Sequence, residues 1–90
     1  MYEIKGIYHS GRKGTRFEPI DSPKYDGLVG CFIVWDINSI RQFEQTAFVV
    51  HDHPVYTWWQ TSPVIQLKKQ NANTYELETI NAIYELEDLG

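Results

Sequence analysis

Apolar and polar residues alternate with a period of two along most of the chain, in short runs rich in β-branched and aromatic side chains and bounded by turn formers. That is the strand period, and it predicts an all-β protein. A first strand is expected over Tyr2 to Tyr8, with Tyr2, Ile4 and Tyr8 on one face and Glu3 and Lys5 on the other; Ile7 falls out of step. "HSGRKGTRFEPIDSPKYDG", residues 9–27, gathers glycines and prolines and reads as a long irregular connection with a short strand at Thr15 to Glu18. A connection of that length in a small domain usually carries function or moves. "GLVGCFIVWDI", residues 27–37, is apolar on both alternating faces, which predicts a central strand covered on both sides or curved through a barrel wall, with Gly30 at the bend.

The period then changes. Ile37, Ile40 and Phe43 recur every three residues, and Asn38 or Ser39 can cap a start, so one or two turns of α- or 3₁₀-helix are expected over Asn38 to Glu44. "TAFVVHDH" and "VYTWWQTS" are strands separated by Pro54, and "VIQLKKQ" with "NTYELET" form a further pair around the turn "QNAN". "AIYELEDL" follows Asn81 and closes a hairpin that turns Tyr75, Leu77, Tyr84 and Leu86 inward and Glu76, Glu78, Glu85 and Glu87 to water. About five to six short strands with one helical turn predict a small, strongly bent sheet or barrel, SH3-like or OB-like, in preference to an immunoglobulin sandwich.

Ninety residues make one domain, 1–90, since a second core lacks the chain to form it. Aromatics at 14% supply buried area that so short a chain otherwise lacks. The net charge of −4 is uneven: six basic and six acidic groups lie in residues 1–45, two basic and six acidic in 46–90. An acidic chain gains little from counterion release on a phosphate backbone, so general nucleic-acid binding is not expected. One cysteine, Cys31, excludes an internal disulfide and suits a reducing, cytoplasmic setting. No stretch reaches the ~20 apolar residues of a membrane span, and the first residues lack a signal-peptide pattern.

"TSPVIQLKKQNANTYELETINAIYELE" resembles the closing hairpin of small uncharacterised bacterial and phage β proteins, in which a "TSPV" strand entry leads to a strand ending in "T.N..Y.L". The likeness covers under a third of the chain. It implies a β fold and transfers no activity; it favours a short phage or mobile-element accessory or inhibitor protein that acts by binding.

Candidate chemistry centres on "VVHDHPVYTWWQTSPV", residues 49–64. His51 and His53, two apart on a strand, point to one face and offer two metal ligands, where catalytic zinc takes three; with Pro54 after them they read as rim residues, and a metal-dependent hydrolase is a distant third reading. Adjacent strand residues face opposite ways, which assigns Trp59 to the core and pairs Tyr56 with Trp58 on the surface, either as a lid or as an interface anchor. "SGRKGTRFEP" sets Arg12, Lys13 and Arg16 among glycines, a solvated tip or a cradle for a phosphate or carboxylate, without the spacing of a Walker loop. Cys31 reads as a small core residue, because reactive thiolates need cations and exposure. No catalytic triad, carboxylate pair or cofactor motif stands out. The expected function is a non-enzymatic module that binds a protein or a second copy of itself through Tyr56, Trp58 and the basic loop; the alternative is a small-ligand or nucleotide binder using Arg12, Lys13, Arg16 and a tryptophan.

Overall fold

A computed structural model describes residues 1–90. The protein is all-β, with seven strands: β1 (Tyr2–His9), β2 (Phe32–Val34), β3 (Ala47–His51), β4 (Trp58–Gln60), β5 (Val64–Lys69), β6 (Thr74–Thr79) and β7 (Ala82–Asp88). They form one antiparallel sheet in the order β4-β3-β2-β1-β7-β6-β5. No helix is long and apolar enough to cross a membrane.

The order is that of a meander whose last strand returns to its first. Hydrogen bonding does not close it, because the edge strands β4 and β5 are not paired with each other. They are instead successive pieces of one run, joined through Thr61, Ser62 and Pro63. On one side that run continues the ladder of β3, with Thr61 N–H donating to Thr46 C=O at 2.8 Å and Val64 N–H to Glu44 C=O at 2.9 Å. On the other side it begins the ladder of β6, where Ile80 N–H donates to Pro63 C=O at 3.0 Å. Pro63 has no N–H and cannot continue a regular strand through the bend, so β4 and β5 are separate strands, as the sequence pattern predicts; the total of seven slightly exceeds the five to six expected. Side-chain hydroxyls pin the bend: Ser62 Oγ donates to Thr79 Oγ1 at 2.8 Å, and Ala82 N–H donates to the same oxygen at 3.1 Å.

The sheet curls around a core in which aromatic rings run edge to face from Tyr2 to Trp35, Phe48 and Tyr84, at centroid separations of 5.3, 5.5 and 5.6 Å. Trp59 ends the chain by donating its indole N–H to Tyr84 Oη at 2.9 Å. Burial pushes the Tyr84 hydroxyl far above the ordinary phenol range, so it serves the core as a neutral acceptor. Cys31 is buried as expected, its Sγ donating to Gly27 C=O at 3.0 Å. Burial first, and then the charge of Asp52, raise its pKa and disfavour the thiolate.

Several expectations change. The register with β7 shifts between Ile4 and Gly6, making Lys5 the extra residue of a β-bulge. Inward positions therefore pass from Tyr2 and Ile4 to Ile7, and Tyr8 moves to the outer face, where its ring lies over Gly6. Residues 17–20 run beside the end of β1 and meet it at a Tyr8–Pro19 bridge, four residues beyond the predicted start of that strand at Thr15. The helical signal is a single 3₁₀ turn at Ile37–Ser39 capped by Asp36, whose side chain accepts from Asn38 N–H at 3.0 Å, and it ends at once because Ile40 is extended. A second 3₁₀ turn, Pro23–Tyr25, lies inside the long β1–β2 connection. β2 is covered on one side only: Ile33 is fully buried, while Phe32 and Val34 are exposed.

Candidate functional site

The one-sided burial of β2 recurs on its neighbours. Along β2, β3 and β4 inward residues Ile33, Phe48, Val50 and Trp59 alternate with outward residues Phe32, Val34, Ala47, Val49, His51, Trp58 and Gln60. None of the outward seven is Asp, Glu, Lys or Arg. Register aligns them into rows across the strands. Val34 pairs with Val49 and Val49 with Trp58; each side chain is about half exposed, at 48, 49 and 54%. Pairing of Tyr2 with Ile33 and Glu3 with Phe32 sets Met1 beside Val34, and Leu89 N–H donates to Met1 C=O at 2.9 Å. A row of exposed apolar side chains, Leu89, Met1, Val34, Val49 and Trp58, thus crosses the outer face.

The adjacent row changes character along its length: Thr74, Glu87 and Glu3 lie on β6, β7 and β1, followed by Phe32 and His51 on β2 and β3. Beyond it, Lys68, Glu76 and Glu85 form a charged row. The outer face is therefore divided into an apolar half over β2–β4 and an acidic half over β6–β7. Single exposed apolar residues are ordinary on proteins, whereas Leu89, Met1, Val34, Val49 and Trp58 form a contiguous row across both chain ends and β2, β3 and β4.

Of the residues picked out from the sequence, Trp58 lies in this surface and Trp59, 4% exposed, lies in the core. Tyr56 does not share the face of Trp58. Its ring is partly buried against Trp59 at 5.1 Å and against His53 at 4.9 Å. Strand alternation does not extend to Tyr56 because residues 52–57 turn rather than extend: Asp52 has φ of +63°, and His53 Nδ1 accepts from both Val55 N–H at 3.0 Å and Tyr56 N–H at 2.9 Å. With Nδ1 an acceptor, Nε2 carries the proton and donates to Asp26 C=O at 2.8 Å. Both ring nitrogens of His53 are thus committed to holding the turn, and His51 stands apart on the outer face of β3 beside Phe32.

The basic loop is divided in the same way. Arg16 forms a two-pronged ion pair with Glu78, Nη1 to Oε2 at 2.6 Å and Nη2 to Oε1 at 2.8 Å, and also donates to Ser10 C=O at 2.9 Å. Glu78, expected to face water, is 7% exposed and accepts as well from Gln66 Nε2 at 3.0 Å. Arg16 ties the loop to β6, leaving Arg12 and Lys13 exposed at the tip. The Arg16 hydrogen bond holds the Glu78 carboxyl below its ordinary range against burial, which pushes it up; Gln66 and Lys68 assist. A depressed folded-state pKa adds stability above the ordinary value of 4.5 and loses it as pH falls through the folded value. The urea midpoint should therefore drop in acid, and Arg16→Met should flatten that part of the curve. Equal acid slopes for the two proteins would show that another carboxylate is responsible.

A cavity of about 260 Å³ lies between β1 and the long connection, lined by Ile7, Tyr8, Pro19, Ile20, Tyr25 and Lys5. It is below the size of common ligand sites, and its one cation sits 3.3 Å from Glu3. Phe32, Val34 and Val49 are the site residues that sequence reasoning missed. The signal was present, since a strand apolar on both faces is either covered twice or leaves one apolar face exposed. No family model, curated protein or solved structure matches the chain.

Proposed function

We propose that this protein is a non-enzymatic interaction module that binds a protein partner through the outer face of β2, β3 and β4. The observation that carries the reading is the cross-strand row Val34, Val49 and Trp58, half exposed and flanked by no formal charge on those strands. Folding does not call for it, because the inward residues of the same strands already form the core. Trp58 is the anchor: a large, rigid ring at the end of an apolar row, the kind of residue that commonly contributes ~2 kcal/mol or more at the centre of an interface. The acidic half of the outer face steers the docked surface toward the neutral half. An accessory or inhibitor role for a phage or mobile-element protein in a cytoplasmic setting belongs to the same proposal, supported by the hairpin resemblance and the unpaired Cys31.

The alternative, an anion or nucleotide site at Arg12, Lys13 and Arg16, is weakened because Arg16 is taken by Glu78. The reading through Trp58 is tested by placing a photo-reactive benzoylphenylalanine at Val49 in the producing cells, with Glu76 on the acidic half as the control position. A covalent protein product is expected from position 49, absent from position 76 and lost with Trp58→Ala. No product from 49, or equal products from both positions, removes the proposal.

A further inference from the structure

We infer that β4 is a pairing edge for a second copy of this chain, the two β4 strands running antiparallel about a two-fold axis at Trp59. The inference rests on the protein-binding reading of the outer face and names its partner. β4 is bonded to β3 on one side alone. Thr61 N–H donates to Thr46 C=O at 2.8 Å and Val50 N–H to Thr57 C=O at 3.0 Å. Hydrogen-bonded pairs alternate along an antiparallel ladder, so Thr57, Trp59 and Thr61 aim their backbone groups at β3, and Trp58 and Gln60 aim theirs away from it. Neither of the latter has another backbone partner.

These two residues lie symmetrically about Trp59. A second copy laid antiparallel sets Trp58 against Gln60 of the second copy and Gln60 against its Trp58. Each pair exchanges two N–H···O bonds and no register shift is needed. The two Trp58 rings then lie on the diagonal, about 7–8 Å apart at the backbone and within reach of one another, and the apolar rows of the two outer faces meet at the axis. The outward side chains at the seam, Trp58 and Gln60, are uncharged, Lys24 Nζ lies over the inward Trp59 ring at 5.5 Å, and the acidic half of each copy lies across the sheet from the seam.

The contrast between the two edges supports a second copy and sets the number of copies. Free edges are ordinarily blunted by very short length, lysine, proline, bulges or cover, and of these β4 has only its three-residue length. β5 has three of these: Lys68 and Lys69 in the strand, a register irregularity between Val64 and Gln66, and residues 42–44 bonded along its start. β4, Trp-Trp-Gln, has no charge, proline or bulge within it. One open edge per chain, consumed by a two-fold contact, closes at a dimer; Pro54 and Pro63 stop the seam from lengthening.

Sedimentation and amide exchange test this on the full chain. The wild type should form a dimer, with the Trp58 and Gln60 amides becoming protected as concentration rises. Gln60→Pro deletes an outward N–H that β3 does not use, so it should be monomeric, with the unfolding temperature that the wild type shows when diluted to monomer. Should that variant fail to fold, Trp58→Lys, which brings two ammonium groups to the seam, should be monomeric and folded. A wild type that stays monomeric up to about 1 mM, or a dimer whose Trp58 and Gln60 amides exchange freely, overturns the pairing. The two proposals fail separately: a monomer that still cross-links a foreign protein from position 49 ends the self-pairing alone, whereas a protected dimer with no product from position 49 ends the outer-face reading alone.

Discussion

Trp59→Ala is expected to cost ~3–5 kcal/mol, the range for deleting a large buried aromatic, which is roughly a third to a half of the stability that a chain of this length has at roughly 0.1 kcal/mol per residue. Two losses add. The indole leaves a void between Tyr25 and Tyr56, whose rings lie 5.2 and 5.1 Å from it, and the Tyr84 hydroxyl loses the donor that satisfies it. Trp59→Phe separates the terms, since it keeps most of the volume and removes the N–H. Trp58→Ala, one residue away, should cost under ~1 kcal/mol, as exposed positions do, while abolishing the cross-link from position 49. Urea unfolding of the three variants decides the matter. A Trp58→Ala protein that unfolds with Trp59→Ala would make the exposed ring part of the core and leave the interface without its anchor.

Thr79→Val tests the other unusual element, the junction of the two edge strands. Thr79 is fully buried, and its hydroxyl accepts from Ser62 Oγ and Ala82 N–H while donating to Ala82 C=O at 2.8 Å. Valine matches it in shape and supplies no partner, so a buried N–H is left unpaired at a cost of about 2 kcal/mol. The damage should be local: amide exchange should accelerate at Asn81 and Ala82 before it does at Ile33 or Phe48. A stability loss below ~0.5 kcal/mol would mean that the hydroxyl network is not what holds the bend.

The acidic side of the outer face shows why a strand pattern is only half of a structure. Glu76, Glu78, Glu85 and Glu87 share one polar phase of the pattern, yet Glu78 is buried because a loop residue 62 positions away returns to pair with it. No local period contains Arg16, so nothing in β6 itself foretells that pairing. The same limit applies at Tyr56, which period two assigns to the face of Trp58 and which a histidine-held turn rotates onto the core.

The amino-acid sequence by itself determined the all-β class, the approximate positions of β1, β3, β5, β6 and β7, the inward set Tyr84, Leu77 and Leu86, the burial of Cys31 and the opposite faces of Trp58 and Trp59. Each follows from alternation, which acts between nearest neighbours and needs no partner strand. Tertiary structure alone decided what lies beyond one strand. Strand order brought Val34, Val49 and Trp58 into a single row, the bulge at Lys5 changed the inward phase of β1, and the bend at Pro63 made both edges from one run. It also decided that the second apolar face of β2 stays uncovered. Hydrophobicity states that a side chain favours cover, and only the arrangement of the other strands states whether this chain provides it.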